Sequence, residues 1–180
     1  MKKARLKPLF ALWLALALAG CGPAPAELAK QTFVVELGSD VYGNPQIYLK
    51  NTGLDTTRMS VEPVNEQVVF QDNRFITPGL EYLAVGEYDF QVINGGQKIP
   101  FRIKIKDTRP PVLGKKPATL MAHFGQAIDW AEVYEATDLS GVSYDAPTDV
   151  TASVGVKNIT VRISDKFGNT EEAEIEVTVV

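Results

Sequence analysis

Strict apolar–polar alternation, closed by turn residues, constrains this chain more than any other feature. Ile99, Phe101, Ile103 and Ile105 alternate with Pro100, Arg102, Lys104 and Lys106. Just before them Tyr88, Phe90 and Val92 alternate with Asp89 and Gln91, and Asn94-Gly95-Gly96 joins the two runs. A period of two turns one set of side chains to a core and the other to water, which a helix cannot do. The pair therefore reads as a β-hairpin. The end of the chain repeats the device. Ile159, Val161 and Ile163 alternate with Thr160 and Arg162, and Ala173, Ile175, Val177 and Val179 form the last apolar row. Between them Asp165-Lys166-Phe167-Gly168-Asn169 places Asp at i and Gly at i+3, a type I turn preference.

Shorter strand candidates precede each hairpin. In the first half these are Phe33 to Leu37, Ile47 to Leu49, Met59 to Glu62 and Gln67 to Phe70, with a turn expected at Asn51-Thr52-Gly53. In the second half Asp129 is placed to cap a helical turn at Trp130 to Tyr134, with Glu132 as its box partner. Asp138-Leu139-Ser140-Gly141 reads as another Asp-to-Gly turn. Between the halves Asp107-Thr108-Arg109-Pro110-Pro111 is the best boundary, because consecutive prolines make a short, stiff link.

The two halves share landmarks in the same order. Leu37-Gly38-x-x-Val41 matches Phe124-Gly125-x-x-Ile128, Tyr48 corresponds to Tyr134, and Val85-Gly86 matches Val154-Gly155. The first half is longer, and an insertion of about 18 residues is expected around Met59 to Glu81. A repeat of short strands with closely spaced turns suggests two β-sandwiches in tandem.

The second half resembles the bacterial Ig-like repeats found in tandem on surface proteins and in some crystal toxins. The resemblance rests on Asp107, Pro110 and Pro111, then Gly125, then Ala136, Asp138 and Gly141, then Val154 and Gly155, then Asp165, Gly168 and Asn169. Gly155-Val156-Lys157 departs from the family's usual Gly-Thr-Tyr. The first half keeps Gly86-Glu87-Tyr88 and uses Asn94-Gly95-Gly96 for its hairpin. The resemblance implies an all-β fold of two tandem Ig-like β-sandwich domains, at 31–108 and 109–180, following a signal peptide and a short tether. It implies a surface location and carries over no functional residue.

The start of the chain addresses location. Lys2, Lys3, Arg5 and Lys7 precede an apolar or small run from Leu9 to Gly20, too short for a span of about 20 residues. This is the pattern of a secretory signal over 1–20. It ends in Leu18-Ala19-Gly20-Cys21, which resembles the lipobox of bacterial lipoproteins. The resemblance implies diacylglycerol on the Cys21 thiol and cleavage just before it. The competing readings are an ordinary signal with a chance cysteine, or a core cysteine. Cys21 is the single cysteine, so no disulfide forms within the chain. Residues 21–30 then read as a tether kept extended by Pro23 and Pro25. Gly22, in place of an inner-membrane retention Asp, leaves an outer membrane open in a two-membrane cell.

Losing the leader removes four of the 18 basic residues and none of the 22 acidic ones, so the formal charge goes from −4 to −8. That balance argues against nucleic acid. Catalytic chemistry is hard to find. His123 is the lone histidine and has no Cys partner, so neither a zinc site nor a triad is indicated. Asp129, Asp138, Asp145, Asp149 and Asp165 lie near loops, where sandwiches can bind calcium. No Asp-x-Asp-x-Asp-Gly run occurs, and Asp138 and Asp165 already serve as turn formers, so no metal site or cofactor is expected. Tyr42, Tyr82, Trp130 and Tyr144 fall near turns, as core padding or, exposed, as platforms for sugar rings. Arg102, Lys104 and Lys106 on one last strand, and Glu172, Glu174 and Glu176 on the other, read as solvated, edge-protecting rows rather than partner sites. The expectation is a non-enzymatic, lipid-anchored envelope protein acting as surface spacer or protein-interaction module. Its alternative is an adhesin-like lipoprotein that binds a glycan or host protein.

Overall fold

The computed structural model describes residues 25–50, 53–64 and 66–180. The leader, Cys21 and most of the Asn51-Thr52-Gly53 turn lie outside them. In the first unit the strands are β1 (Thr32–Glu36), β2 (Met59–Pro63), β3 (Val69–Gln71), β4 (Arg74–Ile76), β5 (Gly86–Asn94) and β6 (Gln97–Lys106). In the second they are β7 (Thr119–Ala122), β8 (Ser143–Asp145), β9 (Gly155–Ser164) and β10 (Thr170–Val179), with helix α1 (Trp130–Tyr134) between β7 and β8.

Each unit is built on the same four-stranded sheet. The orders are β1-β6-β5-β2 and β7-β10-β9-β8. In both, a long antiparallel hairpin forms the centre, and the unit's first strand pairs parallel with its last. The fold is thus all-β and Ig-like: a regular sheet faced by a second, less regular layer. In the first unit that layer includes the β3–β4 hairpin and bridges at Leu28–Leu49 and Tyr42–Arg74. In the second it includes α1 and a bridge at Val112–Thr137.

Alternation does what period two requires. Tyr88, Phe90, Val92, Phe101, Ile103 and Ile105 are buried in one cluster, and Val161, Ile163, Ile175, Val177 and Val179 in another. The repeat landmarks coincide in space. Gly38 follows β1 and Gly125 follows β7, both at positive φ (80° and 72°). Tyr48 ends a 3-10 turn (Pro45–Ile47) and Tyr134 ends α1, and both rings are buried. Asp129 caps α1 by accepting from the amides of Ala131 and Glu132.

Three expectations are corrected. First, the stretch read as a tether is folded from Ala26 onward. Ala26 and Leu28 are buried in the first core, the Ala29 amide donates to Tyr48 O and the Lys50 amide to Glu27 O. Apolar residues at 26 and 28 reach a surface that Tyr48 and Leu49 leave open. Second, Met59–Pro63 is not inserted, because β2 pairs with β5 as β8 pairs with β9. The extra length follows β2: 22 residues separate it from β5, but nine separate β8 from β9. Third, β6 and β10 are interior strands, so their charges protect no edge. Arg102 instead pairs with Glu87 and Asp89 on β5, Lys104 pairs with Glu87, and Glu172 pairs with Arg162.

Candidate functional site

Where the two units meet, the link is held from both sides. The Glu36 carboxylate at the end of β1 accepts from the Thr108 amide (2.8 Å) and from Thr108 Oγ1 (2.7 Å). These bonds hold the Glu36 carboxyl below the usual carboxylate range. Gly38 sits against Leu139 of the second unit so closely that a Cβ there would overlap Leu139 Cδ1. A cleft of about 330 Å³ lies here between Glu36 and Leu37 on one side and Val112 and Leu139 on the other.

Three carboxylates converge at the same end of the second unit. Asp107 comes from the link, Asp138 from the turn after α1, and Asp165 from the β9–β10 turn. One oxygen from each lies within 4.8 Å of the others. Local turn chemistry fixes two of them. Asp138 Oδ1 accepts from the Ser140 amide and Ser140 Oγ, both at 2.7 Å. Asp165 Oδ1 accepts from the Phe167 and Asn169 amides, and Asp165 Oδ2 from Asn169 Nδ2. Asn169 Nδ2 also reaches the carbonyl of Asp107 (3.2 Å), which brings the link onto the turn.

The charges are answered unequally. Burial works against the Asp165 carboxylate, yet hydrogen bonds from Asn169, Phe167 and Gly168 outweigh it and keep its pKa below the ordinary value. Burial pushes the Asp107 carboxyl up; a hydrogen bond from Ser140 opposes this, but the neighbouring Asp138 and Asp165 charges add to it, and its pKa ends above the ordinary value. Its Oδ2 is sealed from solvent and receives no hydrogen bond. An all-oxygen donor set without nitrogen or sulfur suits a hard cation such as Ca²⁺.

Two of the five loop aspartates singled out from the sequence, Asp138 and Asp165, are therefore brought together. Asp129 is spent on the α1 cap, and Asp145 and Asp149 are exposed. The third member, Asp107, was legible as part of the boundary and of the Ig-like entry pattern, but not as a loop carboxylate. His123 is exposed and lines a shallow cleft with Asp129 and Glu132. Of the loop aromatics, Tyr42 is exposed, while Tyr82, Trp130 and Tyr144 are half-buried. Phe70, read as a strand residue, is 56% exposed and lies over Gly43.

No protein-family model matches the chain, and no curated protein matches it. Among solved structures, human mucin-like protocadherin EC1-2 is similar at 13% identity and a TM-score of 0.33, over 87% of this chain and 98% of that one. The insect immune protein hemolin is similar at 12% identity and 0.39, over 88% of this chain and 46% of that one. Drosophila OTK extracellular domains 3-5 are similar at 13% identity and 0.37, over 88% and 63%.

Proposed function

We propose that this chain is a non-enzymatic, lipid-anchored cell-envelope protein whose two Ig-like units act as a surface spacer or protein-interaction module. One observation carries the anchor: the single cysteine stands directly after Leu18-Ala19-Gly20, at the end of a basic and then apolar leader. Only a thiol forms the thioether that attaches diacylglycerol. Two or more acyl chains, at about 0.8 kcal/mol per buried CH₂, hold a protein stably where one chain holds it marginally. No helix among the described residues is long and apolar enough to cross a membrane. The first unit's core begins at Ala26, five residues past Cys21, so an anchored chain keeps that unit close to the bilayer. The prolines of the link and the Glu36–Thr108 bonds suit a stiff pair of units more than a loose one.

Fractionation of cells expressing Cys21→Ser tests the anchor. The wild-type chain is expected in the membrane pellet, and the variant in the soluble fraction or stalled with its leader attached. Retention and processing of the variant like wild type would refute the reading.

A further inference from the structure

We propose that Asp107, Asp138 and Asp165 together bind a hard divalent cation, best matched by Ca²⁺, and that the ion fixes the link between the units to the second sandwich. Two separate observations carry this. The first is convergence: residues 31 and 27 positions apart in sequence present carboxylate oxygens within 4.8 Å of one another. Three like charges at that spacing repel unless something positive lies between them. Among the residues described there, the donors are amides, the Ser140 hydroxyl and the Asn169 carboxamide, and none of these groups carries a charge.

The second is the state of individual atoms. Asp107 Oδ2 is closed to solvent and accepts no hydrogen bond. A carboxylate oxygen in that position has lost its water and gained no hydrogen bond in return. Asp165, the buried member of the three at 7% exposed, lies beside it. A cation coordinated by these oxygens would answer the bare Asp107 oxygen and the repulsion among the three carboxylates at once.

Oxygen ligands alone select a hard ion. Ca²⁺ accepts irregular sets of six to eight oxygens, and waters complete a protein set of three carboxylates. Mg²⁺ demands near-octahedral geometry and gives up its water reluctantly. The consequence is mechanical. Asp107 ends the first unit, while Asp138 and Asp165 belong to turns of the second, so the ion would clamp one to the other beside the Glu36–Thr108 contact.

The test uses the full chain, purified in detergent and stripped with chelator. CaCl₂ is titrated to 10 mM, with NaCl at matched ionic strength as control, and thermal unfolding and calorimetric heats are followed. The expected result is saturable binding with a Kd of about 10⁻⁴–10⁻³ M and a rise in Tm of about 4–8 °C. Asp138→Asn, which is partly exposed, and Asp107→Asn should each weaken binding by about tenfold or more, and Asp145→Asn should not. Without Ca²⁺, Asp107→Asn should unfold no earlier than wild type, because it removes an unanswered charge. A purely structural role for the carboxylate would lower Tm regardless of Ca²⁺. No saturable response, a response matched by NaCl, or full response in both cluster variants would overturn the proposal. None of these outcomes bears on Cys21.

Discussion

The two units share one topology and seal it differently. The first closes with aromatic rings. Phe33 and Tyr48 meet Phe101, which stacks on Phe90, which meets Phe75 edge-on, and Phe75 touches Phe70, at centroid distances of 4.7–5.7 Å. The longer excursion after β2 supplies two of those rings from the β3–β4 hairpin, through a tight turn with Asp72 and Asn73 at φ 49° and 61°. The second unit has a smaller, mostly aliphatic core, with Trp130 and Tyr134 as its stacked pair. It gains order from short-range polar bonds at Asp138 and Asp165 instead. A shared sheet therefore does not dictate how the opposite layer is filled.

The largest effect should come from the ring chain. Phe90→Ala removes its middle member, which is fully buried, and should cost roughly 3–5 kcal/mol. Because the cores are separate clusters, the loss should fall on the first unit alone. In the chain beginning at Cys21, Trp130 is the single tryptophan, so its fluorescence reports the second unit, and its unfolding midpoint should not move. A matching shift at Trp130 would show that the two cores melt as one.

A smaller effect acts through Tyr48 at high pH. Burial pushes the Tyr48 hydroxyl from 10.0 to about 12. The neutral phenol is therefore favoured by folding: its contribution is full below pH 10 and is lost as pH rises through 12. Stability of the first unit should fall by about 2–3 kcal/mol over that window. Denaturant unfolding of wild type and Tyr48→Phe between pH 9 and 12 checks this, and the variant should show a flatter profile.

The smallest effect has opposite signs in the two units. Tyr48 donates its hydroxyl to Tyr42 O at 2.6 Å, so Tyr48→Phe should cost about 1 kcal/mol at neutral pH. Tyr134 is equally buried, but its hydroxyl has no partner. Tyr134→Phe should therefore be neutral or stabilising by about 1 kcal/mol. Equal losses at both sites would undo the distinction drawn between the two closures.

Much of this was readable from residue order alone. Alternation located the hairpins because β side chains repeat every two residues. Paired Asp and Gly located the turns at Asp138 and Asp165 because local bonds fix them. The matching Gly38 and Gly125 exposed the repeat because both need positive φ. What stayed hidden depends on contacts distant in sequence. Parallel pairing of β1 with β6 leaves no local trace, so interior strands looked like edges. Leu28 looked like tether because its partner, Leu49, is 21 residues away. Asp107 looked like a boundary marker, since only the folded link carries it to Asp138 and Asp165.

The proposed anchor rests on the Cys21 thiol. Mass spectrometry of the amino-terminal peptide from membrane-extracted protein tests it most directly. The predicted result is a chain beginning at Cys21 and carrying a diacylglyceryl thioether. An unmodified Cys21, or a chain beginning elsewhere, would contradict it.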